Sequence, residues 1–282
     1  MMFKIDRLRF GTAGIPISTP KPSTIAGIER VRELGLDAME LEFVRGINIK
    51  PELAKKIKHV AKKNDVVLTA HAPYYINLNA KEKEKVEASK RRIIQSAERL
   101  YEAGGWSLVF HAGYYLKQPP ELVYERIKSE LKDIEKELLD RGIKVWIRPE
   151  LTGKPTQFGN LMELIRLSQD LELVLPAIDF AHAHARNKGK CNSEEEWREM
   201  LTLIEKELGR EALDNMHIHI SGIEYSDKGE KRHLNLQESD MRWEELLKTL
   251  KEFKVKGVVI SESPNIEGDA ILMKKKWEEL KI

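Results

Sequence analysis

The chain is poor in the features that would take it out of a reducing, aqueous compartment. One cysteine, Cys191, stands among 282 residues. It cannot form an internal disulfide, so a reducing cytoplasm is the simplest expectation. No apolar run approaches the roughly 18 residues that a membrane helix needs, so no membrane partner is expected. The opening segment, Met1 to Gly11, lacks the basic-then-apolar layout of a signal peptide. Charge of one sign is also missing: 48 Lys and Arg against 46 Asp and Glu leave a formal +2. That balance excludes a disordered charged tail or a histone-like polycation. Neither familiar Gly-rich phosphate loop occurs, which argues against an open nucleotide-binding sheet and against an organic cofactor. Gln is scarce, at five residues, whereas Lys and Glu dominate the charged 33%. Such a surface suits ion-pair networks at high temperature.

Short β-rich runs alternate with charged helical stretches. The spacing predicts strands at Leu8–Gly11, Ala38–Phe43, Val66–His71, Ser107–His111, Lys144–Glu150, Leu173–Asp179, Met216–Ser221 and Gly257–Glu262. Helices are predicted at Ser23–Leu34, Pro51–Lys63, Ala80–Glu102, Glu121–Leu139, Asn160–Leu167, Ser193–Leu208, Arg242–Phe253 and Asp269–Leu280. Ser23 is suited to an N-cap and Pro51 to a first helical turn. Leu122, Val123, Ile127, Leu131, Ile134 and Leu138 mark an apolar stripe at three-four spacing. Eight strand–helix units of about 35 residues fill the length. Alternation of this kind implies a parallel sheet with helices outside, and eight units favour a closed (β/α)8 TIM barrel, α/β in class. No linker or composition break divides residues 1–282, so one domain is expected.

In such barrels chemistry sits at the C-terminal strand ends. Strand three ends in His71, strand four in His111 and strand five in Glu150. Strand six ends in Asp179, with His182 three residues on. Strand seven carries His219, its following loop carries His233, and strand eight ends in Glu262. A lone histidine there is more often a satisfied hydrogen-bonding group, and a lone carboxylate a helix cap. Seven such groups at one mouth are expensive to bury without counterions. Divalent cations would supply the missing charge, and imidazoles with carboxylates suit Zn²⁺, Mn²⁺ or Fe²⁺. The ligands outnumber the four that one Zn²⁺ takes, which implies two or three ions. Multinuclear sites commonly hydrolyse phosphate esters, so phosphodiester hydrolysis leads.

The motifs carry a family resemblance over nearly the whole chain. His71-Ala-Pro-Tyr-Tyr-Ile-Asn-Leu78, Val109-Phe-His111-Ala-Gly113, Glu150-Leu-Thr-Gly153, Asp179-Phe-Ala-His182, His219-Ile-Ser-Gly222 and Ser261-Glu262-Ser263-Pro264 resemble the motifs of endonuclease IV. That family cleaves DNA at apurinic and apyrimidinic sites in base-excision repair, within the xylose isomerase-like barrels. The resemblance implies a zinc-dependent hydrolase that cuts the phosphodiester 5′ to an abasic site, by metal-bound hydroxide, in damaged double-stranded DNA. It implies that His71, His111 and Glu150 hold a first ion. Glu150, which is also the expected catalytic residue, would bridge to a second ion held by Asp179, His219 and Glu262. His182 and His233 would hold a third, with Mn²⁺ an alternative to Zn²⁺. His217 lies two residues before His219, on the same strand face, so strand alternation leaves the choice between them open. The family has Asp-x-His after strand seven, whereas this chain reads Glu230-Lys231-Arg232-His233. Lys231 stands at the Asp position and cannot ligate while protonated. Glu230 would substitute only with a shift of the loop. Tyr74 stands where a family residue contacts DNA, and Arg45 follows strand two at a comparable place. A second reading is a xylose-isomerase-like sugar isomerase or epimerase with one divalent metal on Glu150, Asp179, His219 and Glu262.

Overall fold

The barrel strands are short and largely buried, and amphipathic helices pack outside them. The computed structural model describes residues 4–281. The elements run β1 (Leu8–Ala13), α1 (Thr24–Glu33), β2 (Ala38–Glu42), α2 (Pro51–Lys63), β3 (Val67–His71) and α3 (Lys83–Glu102). They continue with β4 (Ser107–Phe110), α4 (Pro120–Asp140), β5 (Trp146–Pro149), α5 (Leu161–Asp170), β6 (Ala177–Asp179) and α6 (Phe180–Arg186). Next come α7 (Glu194–Leu208), α8 (Arg210–Leu213), β7 (Met216–Ile220), β8 (Gly222–Ser226) and β9 (Gly229–Leu234). A 3₁₀ turn (Leu236–Glu238), α9 (Trp243–Glu252), β10 (Gly257–Ser261) and α10 (Glu267–Glu279) complete the chain.

Eight parallel strands are joined in the order β5-β4-β3-β2-β1-β10-β7-β6. Parallel bridges Ile147–Val174 and Glu150–Ala177 carry β5 across to the strand-six segment and close the circle. The fold is therefore the expected TIM barrel. Its main apolar core lies between strands and helices. There α4 buries Val123, Ile127, Leu131, Ile134 and Leu138 of the stripe read from the sequence, whereas Leu122, next to Val123 on the helix turn, faces outward and is exposed. Ser23 caps α1, its hydroxyl accepting the Ala26 N–H at 3.1 Å. Among the described residues no helix is long and apolar enough to cross a membrane.

Several boundaries differ from expectation. Strand six shortens to Ala177–Asp179, because Pro176 has no N–H to donate and Val174 makes only an isolated bridge. The chain also forms α6 directly after β6, since the Asp179 carboxylate accepts the His182 N–H at 2.7 Å and starts the helix. The loop after β7 contains an antiparallel hairpin, β8–β9, that folds back over the mouth.

Candidate metal centre

Strand register sets the ionisable groups at neighbouring heights. Glu42 pairs with His71, and Asp179 pairs with His219. Glu150 follows β5 at the centre of the cluster. Its Oε2 lies 2.8 Å from His111 Nε2 and 3.5 Å from His71 Nε2. Its Oε1 lies 3.0 Å from His219 Nδ1 and 3.5 Å from His182 Nδ1. Asp179 Oδ2 is 3.1 Å from His182 Nδ1, and Glu262 Oε1 is 3.4 Å from His219 Nδ1. Three ligand groups result: His71 with His111 and Glu150; Glu150 with Asp179, His219 and Glu262; Asp179 with His182 and His233. Glu150 belongs to two of them, and so does Asp179.

Backbone carbonyls orient the rings. Nδ1 of His71 faces Ala72 O at 2.8 Å, that of His182 faces Leu151 O at 3.0 Å, and that of His233 faces Glu262 O at 3.2 Å. Each carbonyl can take an Nδ1 proton, which frees Nε2 for a cation.

Burial tends to neutralise Glu150, but His111 and His219 outweigh it and hold the carboxyl well below its ordinary range. Burial pushes Asp179 up to about 7, with His182 opposing. Burial disfavours the charged form of His71, yet Glu150 overrides it and raises the imidazole to about 9. The residues fit divalent ions on a separate ground. Glu150 Oε2, Asp179 Oδ2 and Glu262 Oε2 are buried without an aligned hydrogen-bond donor. Oxygens left this way are costly unless a cation meets them, and imidazole with carboxylate is a donor set for Zn²⁺, Mn²⁺ or Fe²⁺.

The hairpin corrects the placement of Lys231. Glu224 pairs with Arg232 and Tyr225 with Glu230, so Lys231 is an extra residue at a bulge. Lys231 and Arg232 both turn outward to Glu224, at 3.2 and 2.7 Å. Glu230 and His233, three apart, therefore both face the mouth. Glu230 Oε2 lies 3.5 Å from His182 Nε2, and Oε1 lies 3.8 Å from His233 Nε2. No loop shift is needed, because the bulge absorbs the extra residue. Gly153 allows the approach: a Cβ there would lie 2.7 Å from the Glu230 Cβ and 2.9 Å from the His182 ring.

One carboxylate escaped the sequence reading. Glu40, in mid-β2, is fully buried and lies 2.9 Å from Nε2 of both His217 and His219. The His217–His219 ambiguity is thereby resolved in position: His219 reaches the mouth, and His217 sits deeper with Glu40. At the rim Tyr74 and Tyr75 are exposed, the Tyr74 ring 5.6 Å from that of His71. Arg45 is exposed on the neighbouring loop, which the Tyr74 N–H joins at Val44 O. Cys191 lies before α7 and belongs to none of these ligand groups, its thiol pushed up to about 11 by burial.

The family model of the xylose isomerase-like TIM barrel matches residues 28–280. An uncharacterized protein of Methanocaldococcus jannaschii is 48% identical over 273 residues, covering 97% of this chain and 98% of that protein. A probable endonuclease 4 of Halorhodospira halophila is 25% identical over 204 residues, 68% of each chain. Among solved structures, endonuclease IV from Thermus thermophilus superposes with a TM-score of 0.72 at 18% identity, covering 95% of this chain and 100% of that one. A D-tagatose 3-epimerase-like protein superposes with a TM-score of 0.71 at 22% identity, covering 95% and 96%. The two solved structures share the fold.

Proposed function

The chain belongs to the xylose isomerase-like TIM barrel family, and within it we propose a metal-dependent hydrolase that cuts the DNA phosphodiester 5′ to an abasic site. The observation that carries the reading is the sharing of Glu150 and Asp179 among three adjoining ligand groups. One Zn²⁺ takes about four protein donors, whereas nine side chains converge here once Glu230 is counted. Two or three ions, Zn²⁺ or Mn²⁺, fit that supply. When bound they would provide Lewis acidity toward a phosphoryl oxygen and ease the ionisation of water.

The chain's own residues do the rest. His71, His111 and Glu150 would hold one ion; Glu150, Asp179, His219 and Glu262 a second; Asp179, His182, His233 and Glu230 a third. Glu150, whose carboxylate lies against His71, His111, His182 and His219, would take part in holding both of the first two. Asp179 is held in place because it also caps α6. Tyr74, Tyr75 and Arg45 form an exposed rim that suits a sugar–phosphate backbone, Tyr74 lying nearest the ligands. A base or sugar turned out of the duplex would stack there. The near-neutral total charge suits lesion-specific rather than general DNA binding. A single cysteine, which can form no internal disulfide, suits a reducing compartment such as the cytoplasm.

A specific observation favours a second reading. Glu150, Asp179, His219 and Glu262 can enclose one ion by themselves, and the D-tagatose 3-epimerase-like protein has the same fold. His71, His111 and His182 would then have no task, which ranks the sugar epimerase second. Metal analysis separates the two: two or three ions per chain favour the hydrolase, about one the epimerase. The direct test is a duplex carrying one abasic site, incubated with Zn²⁺- or Mn²⁺-loaded protein. Nicking 5′ to the lesion is expected. An intact duplex, or equal nicking by Glu150→Gln, sinks the reading.

A further inference from the structure

One layer below the mouth lies a second set of polar groups that the hydrolytic reading leaves without work. Glu40 (β2), Thr69 (β3), Ser107 (β4), Arg148 (β5) and His217 (β7) are all buried. Arg148 Nε donates to Ser107 Oγ at 2.6 Å. The serine's own proton is then free for His217 Nδ1, 2.9 Å away. With Nδ1 accepting, His217 keeps its proton on Nε2, 2.9 Å from Glu40 Oε2. Thr69 donates to that same oxygen at 2.7 Å. The other oxygen, Oε1, stands 2.9 Å from His219 Nε2. The opposite nitrogen of His219 looks out to Glu150 Oε1 at 3.0 Å and Glu262 Oε1 at 3.4 Å.

We propose that Arg148, Ser107, His217 and Glu40 form a positioning relay for His219. Glu40 holds the Nε2 proton of His219, so that Nδ1 is the atom presented to a cation at the mouth. The proposal rests on the metal-centre reading above. Glu40 is thus a positioning residue and touches no reacting atom.

A competing arrangement has to be weighed. Both Nε2 contacts lie off the N–H axis, and Glu40 Oε1, His217 Nε2 and His219 Nε2 lack aligned partners. Three such atoms can also enclose a cation. Charge decides between the two. Among the described residues no carboxylate touches the Arg148 guanidinium, whose remaining hydrogen bonds go to Pro176 O and to O and Oδ1 of Asn215. It already offsets Glu40 through Ser107 and His217. A divalent ion added there would leave about two buried positive charges uncompensated, which a low-dielectric interior penalises heavily. The mouth is the reverse case: Glu150, Asp179, Glu230 and Glu262 gather with no Lys or Arg paired to them among the described residues. Cations belong at the mouth and protons in the layer beneath.

Long-range ¹⁵N–¹H NMR of histidine-labelled protein, with and without Zn²⁺, tests this in the unsubstituted chain. The expected result is a His219 ring protonated at Nε2 and metal-shifted at Nδ1. A zinc-bound or unprotonated Nε2 overturns the relay. In parallel, Zn²⁺ affinity is measured by chelator competition for wild type and Glu40→Gln. A 10- to 100-fold weakening of one ion at unchanged stoichiometry is expected. Unchanged affinity, or one ion fewer per chain in the variant, overturns the proposal; the latter would mean that Glu40 itself holds metal. Should Glu40→Gln fail to fold, the NMR result decides alone. A wild-type protein that takes up no Zn²⁺ removes the metal-centre reading and the relay with it. Uptake with the wrong tautomer removes only the relay.

Discussion

At the base of the barrel, Arg9 reaches Asp65 Oδ1 at 2.8 Å and Asp6 Oδ1 at 3.2 Å, and Arg7 reaches Asp37 Oδ2 at 3.0 Å. At the mouth, among the described residues, no Lys or Arg pairs with the carboxylates: Glu150 and Glu262 face imidazoles, and Asp179 faces His182 and takes its N–H. Asp37 is as buried as Glu150, but it accepts both a guanidinium and the Phe10 N–H at 2.9 Å. Buried Glu150 Oε2 and Asp179 Oδ2 have no aligned donor. Opposite signs matched at one end stabilise the fold. Like signs gathered at the other end face only imidazoles among the described residues, a setting that suits cations, and such crowding is characteristic of functional sites. The two ends should therefore respond oppositely to substitution, to metal and to pH.

The largest contrast concerns activity. Glu150→Gln should lower nicking of an abasic duplex by about 1,000-fold or more, on the order of 4 kcal/mol of transition-state stabilisation. Bound metal should fall with it. Steady-state nicking together with metal content checks this, and a variant that keeps its ions and its rate would erase the difference between the ends.

The next contrast is in pH. In chelator-treated protein, His71 titrates at about 9, above its ordinary 6.5, because Glu150 outweighs burial. A raised folded-state value stabilises below pH 6.5, and that stability is lost as pH rises through 9. The loss is on the order of 3 kcal/mol for this one group. Metal-loaded protein should behave differently, since cations displace the ring protons and bind more tightly as pH rises. Urea midpoints from pH 6 to 10, with and without Zn²⁺, should diverge. Parallel curves would show that the mouth holds no metal.

A smaller effect is expected at the base. Asp37→Ala strands the buried Phe10 N–H and releases Arg7. Arg7 is half exposed, so its share is modest. About 2 kcal/mol of stability should be lost, with nicking per folded molecule unchanged. A fall in rate at full folding would deny that the base is purely structural.

Much of this contrast was legible in the sequence, and its gaps have physical causes. His71, His111, Glu150, Asp179 and Glu262 stand where a β-run stops, so counting strands located them. Glu40 does not end a strand. It alternates with Met39 and Leu41 in β2, and a carboxylate in such a pattern reads as facing water. Here helices cover the outside, so the polar face of the strand is the barrel interior. The signal was present in Glu40 and Glu42 together, but only closure of the barrel gives it meaning. Helix α6 went unread for a related reason: Asp179 is both strand end and N-cap, with no residue between the two elements. The pairing of Glu230 and His233 stayed open because residue spacing alone cannot reveal a bulge.

That bulge yields the smallest and most discriminating test. In a regular hairpin, residues two apart share a face. Lys231 makes Glu230 and His233 three apart, and the bulge restores their common face. Glu230→Gln should weaken the last-bound Zn²⁺ by about 10-fold, near 1.4 kcal/mol. Lys231→Ala should change that affinity by less than about 0.5 kcal/mol, because among the described residues its ammonium pairs with the partly exposed Glu224 alone. Deleting Lys231 removes the extra residue and leaves Glu230 and His233 two apart in a regular ladder. Affinity for the last ion should then stay within about 3-fold of wild type. If the deletion instead abolishes that ion while Lys231→Ala does not, the bulge is part of the ligand geometry itself. If Glu230→Gln has no effect, the hairpin carboxylate belongs with the paired charges of the base rather than with the mouth.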